Sequence, residues 1–246
     1  MKIEKVLTVA GNPYYIVDDN VRLSLYTPGT ADFTVVVPVN SDGSAADRLS
    51  GIVTFDLGLA TSANVHRCFF GVVVNAIQLN DNQQSILCRE VTDILRVSIP
   101  LSLRHCAMGD VLAAISDMTG LSFRVPDKDY AKTKAPCFYN LSSGIHSLDM
   151  LGDVFGIPDY IWVQQSNGEI FCGAWSDSFF ADIDETSALK IPEDLFHSQL
   201  SSGSFKVAAI PGLRPGFKIN DNFITDIQLT GNTMAITCAK LLNASY

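Results

Sequence analysis

The side chains able to do acid, base or nucleophilic chemistry are scattered along this chain, and spacing decides how far they can cooperate. His105 and Cys106 are adjacent, and neighbours in an extended segment point to opposite sides, so they make no ready dyad. His66 and Cys68 stand two apart, where one strand face would carry both. A reactive thiolate there would still need an orienting third group, and a free cysteine ordinarily packs as a small hydrophobe. His146 and Asp149 have helical i, i+3 spacing, for which an ordinary surface pair is the expected outcome. Acidic residues gather at Asp182, Asp184 and Glu185, and again at Glu193 and Asp194. They could ligate a hard cation, but without a loop signature the expectation is a solvated acidic face. Trp162, Tyr160 and Trp175 share one segment; packing against helices is expected there before a stacking platform for sugar or base.

No Gly-rich phosphate loop and no GxSxG occurs. The six cysteines, Cys68, Cys88, Cys106, Cys137, Cys172 and Cys238, include no Cys-x-x-Cys, so a structural zinc site is not expected. The residues therefore predict no catalytic, cofactor-binding or metal site, and no enzyme.

The totals set the remaining bounds. A length of 246 residues allows two or three small domains, and 47% hydrophobic with 17% charged residues describes a packed chain. The net charge of −9 argues against sequence-specific nucleic-acid reading, which needs clustered Lys and Arg. No apolar run approaches the roughly 20 residues of a membrane-spanning helix. MKIEKVLTVAGNPYY has no adequate apolar stretch or cleavage site for a secretory leader, so the thiols are expected to be reduced and mostly buried.

The elements that would position these side chains are mainly strands. KVLTVAG, YYIVDD, VRLSLYT and ADFTVVVPV are β-branched or aromatic runs punctuated by Gly-Asn-Pro, Asp-Asp-Asn and Pro-Gly. SDGSAADRL reads as a loop, and GIVTFDLG and CFFGVVVNAIQL as further strands. MGDVLAAISDMTGLSF predicts a helix capped by Asp110, with Leu112, Ile115 and Met118 inward and Gly120 as its stop. A strand is expected near Leu121–Val125, then a polar loop over DKDYAKTKAPCFYN. GIHSLDMLGDVFG predicts a second helix with Ile145, Leu148, Leu151 and Phe155 on one face. DYIWVQQSNGEIFCGAW predicts a hairpin turning at Asn167-Gly168. Strands return in FKVAAIPGL, PGFKIN, FITDIQL and MAITCAKLL.

One motif is written twice. IQLNDNQQSILC (77–88) and IQLTGNTMAITC (227–238) agree at six of twelve positions, and both predict a hairpin with alternating inward residues. The expected fold is α+β, mainly β: two small β-barrel domains, 1–98 and 182–246, flanking an α/β module over 99–181.

FGVVVNAIQLNDNQQSILCREVTDIL (70–95) resembles the barrel-closing segment of phage tail baseplate hub proteins, the family of late control protein D and type VI spike hubs. PLSLRHCAMGDVLAAISDMTGLSF is similar to the opening of their α/β module, and FYNLSSGIHSLDMLGDVFGIPDYIWVQQSNGEIFCGAW to its continuation. IPGLRPGFKINDNFITDIQLTGNTMAIT resembles their second barrel. The resemblance implies a homotrimer whose six barrels form a pseudo-sixfold ring, adapting a hexameric tail tube to a trimeric spike. It implies as partners a tail tube protein ring, a trimeric spike protein, baseplate wedge proteins and a tape-measure protein. It also implies a place in the virion tail baseplate after assembly in the host cytoplasm.

The physics agrees with that expectation. Trimer contacts suit a chain of positive mean hydropathy, and an acidic lumen would let DNA pass without adhering. Two alternatives stand beside it: a secretin-like ring-forming module, suggested by DVLAAISDMTGLSF, and a cell-wall hydrolase of a tail or secretion device. The hydrolase would use the Trp162/Trp175 segment with Asp182 or Glu185.

Overall fold

The computed structural model describes residues 3–38, 47–60, 65–182, 204–220, 222–240 and 242. The chain divides into two compact units. One comprises the described parts of Met1–Val91, Ile191–Pro215 and Ile224–Cys238, the other those of Thr92–Lys190, Gly216–Phe223 and Ala239–Tyr246.

The first unit is built on strands β1 (Ile3–Val9), β2 (Asn12–Ser24), β3 (Thr30–Val36), β4 (Ile52–Leu59), β5 (Val65–Asn80) and β6 (Gln83–Glu90). Their pairing runs β1-β4-β5-β6-β3-β2, and β2 pairs back onto β1, so the order closes on itself in a ring-like sheet. Every pairing in the ring is antiparallel. Alternate residues turn inward, as a period of two demands. Leu7, Val9, Val21, Leu23, Phe33, Val35, Phe55, Leu57, Phe69 and Ile86 are all buried. Phe33 and Phe55 meet with ring centroids 5.0 Å apart.

β2 departs from the predicted pattern. YYIVDD and VRLSLYT are one strand through Asp18-Asp19-Asn20, with a bulge between Ile16 and Asp18. The punctuation fails because Asp19 turns inward against a counter-charge: the Lys5 ammonium reaches its Oδ1 at 2.6 Å. Lys5 also donates to the Gly231 carbonyl at 2.6 Å.

In sequence after the helical unit, β12 (Phe205–Ala208), β13 (Lys218–Ile219), β14 (Asn222–Thr230) and β15 (Thr233–Ala239) join the same sheet. The path continues β2-β14-β15-β12, with β13 pairing the start of β14. β2 carries the junction, with Val21 and Leu23 paired to Leu229 and Ile227. The predicted strand PGFKIN is reduced to the two residues of β13.

The second unit opens with a 3-10 helix, Val91–Arg96, followed by β7 (Leu101–Cys106) and α1 (Met108–Thr119). It continues through β8 (Phe123–Arg124), a single turn α2 (Asp129–Lys132), β9 (Ala135–Asn140), α3 (Gly144–Phe155), β10 (Tyr160–Gln164) and β11 (Ile170–Ala174). β10 and β11 form the predicted hairpin, with Gly168 at φ 87° in its turn, and β8 adds parallel to β11. β7 pairs with β9. The stretch read as a polar loop therefore contains a strand, APCFYN, whose partner lies far away in sequence.

α1 starts earlier than predicted. Its N-cap is Ala107, and Asp110 sits in the first turn with its carboxylate accepting from the Ala107 N–H at 2.8 Å. Gly120 ends the helix at φ 74°. Met108, Val111, Leu112 and Ile115 are buried, whereas Met118, expected inward, is exposed. α3 is capped by Ser143, whose hydroxyl accepts from the His146 N–H. It buries Leu148, Leu151 and Phe155 but leaves Ile145 half-buried. Gly152 is required there, since a Cβ would lie 2.8 Å from the Tyr160 side chain.

Candidate functional site

The structure separates the candidate pairs. His105 is exposed, with a left-handed backbone at φ 48°, and Cys106 is buried with its thiol raised by burial. His66 is exposed beside Gly212, whereas Cys68 is buried. The expected common face is lost to a bulge: Phe55 pairs Phe69 and Asp56 pairs Arg67, leaving Cys68 as the extra residue. Burial pushes the Cys68 thiol up to about 11, the opposite of nucleophile activation.

Asp149 is engaged by the Trp162 indole N–H, which donates to its carboxylate at 2.7 Å. Burial raises this carboxyl, and the Trp162 bond and nearby His146 oppose the rise. Trp162 and Trp175 are both buried. The Trp175 indole donates to the Gly216 carbonyl at 2.8 Å, and Phe223 meets it edge-on at 5.2 Å. The Lys218 ammonium lies 4.0 Å from the Trp175 ring centroid. These aromatics are core and offer no open stacking face. Asp184, Glu185, Glu193 and Asp194 lie outside the described residues. No group of three or more His, Cys, Asp or Glu able to hold a metal occurs among the described residues.

Two features of the first unit were invisible to motif reasoning. The first is a buried ion pair. Arg214 and Glu90 are each 6% exposed, with Nη2 3.4 Å from Oε1. Arg214 also donates to the Cys68 carbonyl at 3.3 Å, and Glu90 accepts from the Gly29 N–H at 2.7 Å. Burial raises the Glu90 carboxyl, with Arg214 and the Gly29 bond opposing it. The pair fastens the segment before Pro215 to the ends of β5 and β6. Nothing in LRPG marks it; Glu90 at the close of an alternating strand was the available signal.

The second is an apolar outer surface. Tyr15, Val17, Ile52, Val65, Val72, Val74, Ile77 and Leu79 are exposed on β2, β4 and β5. Asn80, Gln83, Val36 and Tyr15 form one register row across β5, β6, β3 and β2. Of these strands β4 and β5 are neighbours in the sheet, whereas β2 pairs with β1, β3 and β14.

Comparison with known proteins bears on the fold. A 43 kDa tail protein of prophage MuSo2 from Shewanella oneidensis aligns over 98% of both chains, with a TM-score of 0.63 and 12% identity. The chain shares its fold with phage tail proteins. A tail protein from Neisseria meningitidis matches 97% of this chain and 96% of its own at a TM-score of 0.55 and 9% identity. An Escherichia coli type VI secretion component, itself structurally similar to the T4 tail proteins gp27 and gp5, matches 95% of this chain and 76% of its own. Its TM-score is 0.54 and its identity 10%. In sequence, an uncharacterised 58.7 kDa protein of Haemophilus phage HP1 is 26% identical over 243 residues. The chain spans 43% of that relative's length. No protein-family profile matches the chain.

Proposed function

We propose that this protein is a structural hub of a phage tail baseplate. It forms a homotrimer that presents a pseudo-sixfold ring to the hexameric tail tube and threefold symmetry to a trimeric spike. The observation that carries the reading is the end-to-end match to the prophage tail protein, 98% of each chain. The likeness to the type VI component and the exposed apolar residues of β2, β4 and β5 support it. Tube, spike, wedge and tape-measure proteins are its partners, and the virion baseplate, assembled in the host cytoplasm, is its place.

The role is structural rather than catalytic. Burial of Trp162 and Trp175 supports that reading over a cell-wall hydrolase. Turbidity assays on peptidoglycan check it: lysis abolished by replacing Asp182 or Glu185 would overturn a purely structural role.

Mass measurement in solution and negative-stain class averages test the assembly, on the protein alone and co-expressed with its tube and spike partners. The expected result is a trimer with threefold or pseudo-sixfold averages. A monomer that persists beside those partners defeats the reading.

A further inference from the structure

The repeated motif is turned to opposite faces in its two copies. Ile227 and Leu229 of β14 are 2% and 0% exposed, whereas their counterparts Ile77 and Leu79 of β5 are 55% and 52% exposed. Both hairpins turn through two residues, Asp81-Asn82 and Gly231-Asn232. The returning strands agree as well, since Gln84, Ile86, Met234 and Ile236 are all fully buried. Only the Ile-Gln-Leu strand has turned over.

Two bulges turn it. From the tip pair Asn80–Gln83, an even antiparallel ladder would set Leu79 against Gln84 and Ile77 against Ile86. Instead Leu79 stands unpaired, and Gln78, Ile77 and Ala76 oppose Gln84, Ser85 and Ile86. Val74 is a second unpaired residue, between the Val73–Cys88 and Asn75–Leu87 pairs. A slip of one residue exchanges the two faces of a strand. The slip leaves Ile77 and Leu79 facing solvent, and it buries the Gln78 Oε1 with no donor.

The opposite strand holds this register. The buried Gln84 amide donates to the Asp47 carbonyl and accepts from the Leu49 N–H, each at 3.0 Å. The even ladder would bring Leu79 against that clasp. Each register therefore satisfies what the other does not. The bulged one keeps the Gln84 clasp; the even one covers Ile77 and Leu79 and returns the Gln78 amide to water. We propose that residues 74–79 of β5 are a register switch. The extra residue at Leu79 migrates along the strand, so that Val74 and Asn75 become the two unpaired residues. Ile77 and Leu79 then rotate inward as Ala76 and Gln78 rotate out. The start of β5 stays fixed, because Val72 remains paired with Ile52 and Arg89. The switch sets how much apolar surface the outer face of β5 shows, and it does not depend on the hub reading.

Disulfide trapping reads the register. The pairs I77C/S85C, Q78C/S85C and A76C/S85C are each made in the full chain and oxidised under native conditions with copper phenanthroline. Peptide mapping then locates the bridges over time. The bulged register sets residue 77 against 85 and the even ladder sets 78 there; neither sets 76 there. Bridges to residue 85 are expected from 77 and from 78, with 76 about 10-fold slower or worse, since its side chain points away in both registers. A bridge from only one of residues 77 and 78 means a single register and overturns the proposal. A bridge from 76 as readily as from 78 means a frayed strand and overturns it too. In parallel, Ile77→Lys would have to bury an ammonium in the even ladder, so adding it to Q78C/S85C should slow that bridge about 10-fold or more. An unchanged rate sinks the switch.

Discussion

Arg214 places its guanidinium against the Glu90 carboxylate while bonding the Cys68 carbonyl, so one side chain joins a late segment of the sequence to the ring-like sheet formed by the first 90 residues. Both partners are almost fully buried. A buried pair is costly to half-remove, because the survivor keeps its charge without its partner.

Arg214→Ala should therefore destabilise the protein by about 3–5 kcal/mol. Glu90→Gln keeps an acceptor for the Gly29 N–H but leaves the buried Arg214 guanidinium, which cannot shed its proton, without its counter-charge, and should also cost about 3–5 kcal/mol. Urea denaturation of both variants checks this; a loss below about 1 kcal/mol in both would show that the pair's charge is immaterial.

The same carboxyl has a pH signature. Its folded-state pKa lies above the ordinary glutamate value because of burial. The native state thus holds this proton more tightly than the unfolded chain. The Glu90 contribution is most favourable below the unfolded pKa and is lost as pH rises through the raised folded value. The stability difference between wild type and Glu90→Gln should show that slope as pH rises above the usual glutamate range. A flat difference across that window would refute it.

Gly71 and Gly109 should behave oppositely on substitution by alanine. A Cβ at Gly71 would lie 2.1 Å from the Arg89 carbonyl oxygen, between β5 and β6. Gly71→Ala should cost about 3 kcal/mol or more, as overpacking against backbone does. Gly109, in the first turn of α1, has open space around it, and Gly109→Ala should stabilise by about 0.5 kcal/mol. Thermal melts of the two variants check both signs.

Thiol labelling should be selective. Cys137 is exposed, whereas Cys68, Cys88, Cys106 and Cys172 are buried. Burial pushes Cys88 and Cys172 up to about 12 and the half-buried Cys238 up to about 11. Iodoacetamide at neutral pH should modify Cys137 first in the folded protomer and the buried thiols only after denaturation. Peptide mass mapping over time reads the order, and early labelling of Cys88 or Cys172 would contradict the core described above.

Local rules made much of this protein legible before folding. Alternation of apolar residues predicted the strands, Gly120 the end of the first helix, and Asn167-Gly168 a turn, because backbone preference acts over a few residues. The same locality misled at Asp18-Asp19-Asn20, where Lys5 from another strand pairs with the inward carboxylate. It also misled at Ala135–Asn140, a strand only because Leu101–Cys106 pairs with it.

Two hairpins with one motif were readable in the residues. What each hairpin buries was not. Ile227 and Leu229 stand opposite the buried Leu23 and Val21, whereas Ile77 stands opposite Ser85 while Ala76 and Gln78 face the buried Ile86 and Gln84, so the two copies turn the motif to opposite faces. Arg214 and Glu90 likewise become a pair only when chain ends far apart in sequence meet. The chain's sequence determined the strands, turns and alternation; tertiary pairing decided which apolar faces were covered, since burial depends on the neighbour a strand finds.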